Sequence, residues 1–155
     1  MKNICISLIF ILLIVFAFIS CISPQEILLL DSNIIIKLTK YNGIFYIQGW
    51  TKKEYNSTGW EILIDSSLIG NNYEFVIRGI LPPSGITGAG FSPATFDYSN
   101  TDLTNLTNDI YTIKFIYDIS TDIYDLTVDA VKYEMNPMSG SFTYFENTSD
   151  MVLLK

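Results

Sequence analysis

From residue 34 onward, apolar side chains recur at every second position in one short segment after another, and each segment ends in turn-forming residues. That period is the pleat of a half-buried β-strand, whose successive side chains point to opposite faces, whereas a helix face needs spacings of three and four. Ile34, Ile36 and Leu38 share one side of the first segment, with Lys37 and Thr39 on the other. Asn42-Gly43 follows, a pair that tolerates the positive φ of a two-residue hairpin, so the next segment, Ile44 to about Trp50, is expected to fold back on the first. Trp60, Ile62 and Ile64 alternate with Glu61 and Asp65 up to Asn71-Asn72, and Tyr73, Phe75 and Ile77 alternate with Glu74 and Arg78. Tyr111, Ile113, Phe115 and Tyr117 line a fifth strand, and Tyr124, Leu126 and Val128 a sixth. At Asp129-Ala130 the phase changes, bringing Val131, Tyr133 and Met135 onto the apolar register, which implies a bulge or tight turn. Asn136-Pro137 ends that element, and Phe142, Tyr144 and the stretch from Met151 to Leu153 supply the last strand or two.

From Pro82 to Asn108 the alternation gives way to Pro82-Pro83, Gly85, Gly88, Gly90, Pro93 and a polar run. A stretch this long inside one domain tends to be functional or flexible, so it is the first place to seek a site. Ala94, Phe96 and Tyr98 nevertheless alternate within it, which predicts a short strand there. Ile, Val, Tyr, Phe and Thr are abundant and Ala is scarce, as suits pleated surfaces better than helices. No internal repeat is visible, so residues 31–155 are expected to form one all-β domain. Seven to nine strands predict an antiparallel, immunoglobulin-like two-sheet β-sandwich, with a closed barrel as the rival architecture.

Ahead of the domain, Lys2 precedes a run from Ile4 to Ile22 without charge, Gly or Pro, followed by Pro24. These are the parts of an export signal, assigned to residues 1–20, with a tether over 21–30. The run is also long enough to cross a bilayer as an anchor helix, oriented by Lys2 with its N-terminus in the cytoplasm. At its end, Phe18-Ile19-Ser20-Cys21 resembles the lipobox of bacterial lipoproteins, Phe18 standing where Leu is usual. That resemblance implies lipidation at Cys21, membrane lipid as a partner, and a domain facing the extracytoplasmic side of the cell envelope. A retained single-pass anchor and an ordinary secreted domain are the alternatives. Cys5 falls inside the signal, so Cys21 has no intramolecular disulfide partner. Further on, Gly79-Ile80-Leu81-Pro82, the run Ser92-Pro93-Ala94-Thr95-Phe96, Tyr111-Thr112-Ile113 and Tyr124-Asp125-Leu126-Thr127-Val128 resemble a pattern in uncharacterised bacterial surface lipoproteins with a sandwich domain. This second resemblance implies a fold and no known chemistry.

The formal charge is -7, and losing Lys2 with the leader makes the remainder more negative still. A phosphate backbone needs clustered cations, and the nearest approach is Lys52-Lys53, so nucleic acid is not an expected partner. The chain has no His, which removes the commonest general base and metal ligand. Gly85, Gly88 and Gly90 do not make a phosphate loop and read as turn residues. No catalytic residue and no cofactor are expected. Asp118, Asp122, Asp125 and Asp129 read as solvated turn and strand charges; the sharper alternative is a Ca²⁺ site formed by Asp118, Asp122 and Asp125. Trp50 and Trp60 flank the Lys52-Lys53 loop and, with Pro93 and Phe96 of the irregular stretch, are the candidate ligand contacts. Asn56, Asn105 and Asn147 begin glycosylation-type triplets of a kind that arises by chance in an Asn- and Thr-rich chain. The sequence therefore predicts a non-enzymatic binding or structural module of the envelope whose ligand the sequence does not name, with an envelope protein or a glycan as the candidate partners. The alternatives are a carbohydrate-recognition accessory domain and a structural piece completed by a partner strand at an open sheet edge.

Overall fold

The computed structural model describes residues 25–85, 87–99 and 106–155. The export signal, Cys21, the start of the tether and Asn105 lie outside these described residues. Ten strands follow in order: β1 (Ile34–Tyr41), β2 (Ile44–Tyr55), β3 (Glu61–Ile69), β4 (Asn72–Leu81), β5 (Ser92–Tyr98), β6 (Asp109–Tyr117), β7 (Ser120–Val128), β8 (Lys132–Asn136), β9 (Thr143–Phe145) and β10 (Val152–Leu154). The only helical element among the described residues is a single 3-10 turn, Thr148–Asp150.

The all-β expectation is met. The immunoglobulin-like antiparallel sandwich is not confirmed: hydrogen bonding links the ten strands into one curled mixed sheet, a half-barrel, in the order β10-β8-β7-β6-β4-β3-β5-β2-β1-β9. Three pairings are parallel, β1 with β9, β3 with β5, and β4 with β6. Sequence period reports which face a strand buries but not which strand lies beside it, and the parallel neighbours are therefore invisible to it. The link between β3 and β5 is a single pair, Glu61 opposite Thr95, so one rung joins the two arms of the sheet at this seam.

Inside the curl, aromatic rings join strands that are not neighbours in the ladder. Phe45 of β2 stacks on Tyr133 of β8 at 4.7 Å, Phe75 of β4 meets Tyr98 of β5 edge-on at 4.7 Å, and Tyr124 of β7 meets Phe145 of β9 edge-on at 5.8 Å. Each such ring contributes roughly 1.5–3 kcal/mol by burial, and the offset or edge-on geometry adds to that. The hairpin turn is as the sequence predicts, with Asn42 at φ 50° and Gly43 at φ 81°. The strand predicted from Ala94, Phe96 and Tyr98 is β5, and the change of phase at Asp129-Ala130 is the tight turn between β7 and β8. Part of the tether is docked rather than loose: Leu28 and Ile80 exchange two backbone hydrogen bonds of 2.9 Å, and Leu30 is buried with its N–H donating to the Tyr117 hydroxyl at 2.8 Å.

Candidate functional site

The inward set of β2 is Phe45, Ile47, Gly49 and Thr51, so Tyr46, Gln48 and Trp50 are turned outward. On β5 the inward residues are Ala94 and Phe96, which turns Pro93, Thr95 and Asp97 outward. The antiparallel register sets Trp50 opposite Thr95 and Gln48 opposite Asp97. These residues, with Pro93 and the Gly49 backbone, line an open groove of about 440 Å³ on the outer face. The Gln48 amide donates to Asp97 Oδ1 at 2.8 Å, which fixes two planar polar groups beside the half-buried indole. The floor depends on Gly49: a Cβ there would lie 2.1 Å from the Phe96 ring, which packs across the glycine from the inner side.

Just beyond Trp50 the register slips, and Glu54 becomes the partner of Pro93. Proline has no N–H to offer a ladder, so a bulge is where a sheet accepts it. Thr51 holds the bulge closed, its hydroxyl accepting from Ala94 N at 2.9 Å and donating to Lys53 O at 2.7 Å. A second groove, of about 330 Å³, continues across the seam between β5 and β3 and shares Thr95 and Asp97 with the first. Glu61 lies on this side, so the composite surface carries two carboxylates, an amide, a hydroxyl and an indole.

Of the four candidate contacts, the structure brings together Trp50 and Pro93. Phe96 is 6 % exposed and belongs to the interior. Trp60 does not pair with Trp50: its indole stacks on Tyr55 at 4.7 Å, and its N–H donates to Ser57 Oγ at 2.9 Å. Beside that stack, Asp31 accepts from the Tyr55 hydroxyl at 2.8 Å and pairs with the Lys53 ammonium. Burial and the neighbouring Asp31 push the Tyr55 phenol well above its ordinary value, and the Lys53 hydrogen bond outweighs burial to hold Asp31 below its own. The irregular stretch contributes a separate polar groove of about 380 Å³, bounded by Gln25, Thr58, Pro82, Ser84 and Thr87.

The three calcium candidates do not converge. Asp118 lies exposed in the β6–β7 turn, Asp125 faces outward from β7, and Asp122 is 3 % exposed on the inner face. Among the described residues no group of three or more His, Cys, Asp or Glu side chains is placed to hold a metal. Asp122 is instead held by five donors: Oδ1 accepts from Ser141 N and Ser141 Oγ, both at 2.6 Å, and Oδ2 accepts from Phe142 N, Thr143 N and Thr143 Oγ1 at 2.9, 2.7 and 2.7 Å. Burial alone would raise its pKa, but these donors favour the carboxylate more strongly and the net shift is downward. Asp122 shares the parity of Tyr124, Leu126 and Val128, and that was the one signal in the sequence that it faces inward. Its role is to clamp the loop before β9 onto β7, which leaves it no free lone pair for chemistry.

The groove at Trp50 is thus the outward-facing site where the sequence and the geometry meet. No protein-family profile, no curated protein and no solved structure matches the chain.

Proposed function

We propose that the chain is an exported, non-enzymatic binding module of the cell envelope, held to the membrane by a lipid on Cys21 and engaging its ligand through the groove at Trp50. The observation that carries the binding reading is the cross-strand set itself: an indole, an amide, a carboxylate and a hydroxyl presented outward from two paired strands of a rigid sheet. Strand-borne side chains hold their geometry better than loop-borne ones, so the set is preorganised for recognition. A glycan is the partner this surface favours over a protein. A sugar ring offers one apolar face to an aromatic platform and hydroxyls to planar acceptors and donors, which Trp50, Gln48 and Asp97 supply at neighbouring positions. We read the groove as a binding surface because Asp97 is held by the Gln48 amide, Asp122 is fully engaged in structure and the chain has no His.

The test is co-sedimentation with insoluble envelope polysaccharide, using wild type, Trp50→Ala and Trp60→Phe. Retention lost at least tenfold in Trp50→Ala and kept in Trp60→Phe is the expected result; equal retention of all three, or none, overturns the glycan reading. Intact mass of membrane-extracted protein, compared with a Cys21→Ser variant, tests the anchor. A species beginning at Cys21 with added acyl mass is expected, and full-length or unlipidated protein overturns it.

A further inference from the structure

We propose that β3 is a self-association edge through which two copies of this chain pair antiparallel, centred on Ser66. β3 pairs with β4 along its whole length, but among the described residues its other side meets β5 only at Glu61 opposite Thr95. Beyond Glu61, no strand among the described residues pairs with that side. Natural sheets blunt their edges with short strands, lysine or proline. The two terminal strands here follow the first rule, β9 and β10 being three residues each. β3 is nine residues long and holds neither Lys nor Pro, and its one register shift, between Leu63 and Ile64, leaves Ile64 to Ile69 in regular pairing with β4. The only charge between Ile62 and Ile69 is Asp65, and Arg78 Nε already donates to it at 2.6 Å.

The sequence of this edge is complementary to itself in one register. Two-fold pairing that keeps both inner faces on the same side of the joined sheet requires partners of equal parity. Centring on Asp65 sets two like charges against each other, which opposes pairing. Centring on Ser66 sets Ile64 against Leu68, Leu63 against Ile69, and Asp65 against Ser67 of the second copy. Leu68 and Ile69, which are 38 % and 71 % exposed in the single chain, thereby gain apolar neighbours, and no charge faces its like. The ladder is short, so the dimer is weak in dilute solution and is populated where the chain is concentrated.

The test traps the register by disulfide formation in the full chain, oxidised in its native membrane. Directly opposed residues of an antiparallel ladder have Cα atoms about 4.5–5.5 Å apart, within disulfide reach, whereas the same residue displaced by one step along each strand lies beyond about 7 Å. Ser66→Cys is expected to link to itself, read as the mass of a peptide pair carrying position 66 on both sides, which keeps it distinct from any bond through Cys5 or Cys21. Ser67→Cys alone is expected to link at least tenfold less, yet to link to Asp65→Cys when the two variants are mixed. Adding Ile69→Lys to Ser66→Cys, at an exposed position that leaves the fold intact by circular dichroism, is expected to abolish the link. Absence of a Ser66→Cys self-link, a Ser67→Cys self-link of equal yield, or linkage of position 66 to a different protein only, overturns the proposal.

Discussion

Replacing Asp122 with Asn keeps the shape of the side chain and changes only its charge and one pair of lone pairs, so the cost follows from the five donors around it. The amide has to turn its NH2 toward one side of the site. Toward Phe142 and Thr143 it would face two backbone N–H groups at 2.9 and 2.7 Å, neither of which can accept. Toward Ser141 it faces one backbone N–H at 2.6 Å and a hydroxyl that can rotate to accept, so this orientation is the cheaper. One buried N–H is then left facing a donor, at about 1–3 kcal/mol, and the remaining bonds lose their charge assistance; relief from burying the charge returns part of this. The net is about 3 kcal/mol, or roughly 10 °C in Tm for a domain of this size. Urea unfolding followed by tryptophan fluorescence, at unchanged m-value, measures it. The pH dependence has a fixed sign. Because the folded-state pKa is depressed, the contribution of Asp122 is fully present above the unfolded value of about 3.9 and is lost as pH falls through the folded value. The gap between wild type and Asp122→Asn is therefore expected to be constant from neutral pH down to about 5 and to close below it. A loss under about 1 kcal/mol at pH 7, or a gap that does not narrow in acid, would refute the reasoning.

Two further outcomes follow from the packing of the interior. Gly49→Ala sets a methyl 2.1 Å from the Phe96 ring, so the ring must leave its place; a loss of about 2 kcal/mol is expected, with Gly49→Ala, Phe96→Leu nearer to wild type, measured by the same unfolding curves. Tyr124 is pushed up to about 12 by burial, with the Asp122 charge alongside, so it is expected to remain a phenol in the folded chain above about pH 10, where the unfolded chain would lose that proton; stability is complete below about 10 and falls as pH rises through the folded value, which ultraviolet absorbance titration against circular dichroism can follow.

How much of this was legible beforehand depended on whether the information was local. The faces of β1, β2, β4, β6 and β7 could be read because each buries an unbroken alternate row, and the first hairpin because Asn42 and Gly43 both take positive φ. Strand order could not, since no turn joins the parallel neighbours β4 and β6; they meet through a ladder in which Phe75 lies opposite Phe115, rings stacked at 5.2 Å. β9 and β10 are too short to carry a period. At the candidate site, Trp50 and Pro93 were found by residue type. Gln48 and Asp97 were not, because an outward polar residue on a strand signals nothing until its cross-strand partner is known.

Both ends of the sheet are built from the last stretch of the chain: β9 lies beside β1, and β10 beside β8. For a polypeptide delivered N-terminus first, β1 then emerges early and waits for residues 143–145 before its second edge is covered, while Asp122 waits for Ser141, Phe142 and Thr143 to neutralise its burial. Closure is thus a late, long-range event, of the kind that slows folding and prolongs exposure of an apolar strand. Until residues 141–154 are in place, β1 and β8 each keep an uncovered edge and Asp122 lacks its donors, so this stretch supplies the last pairings of the sheet.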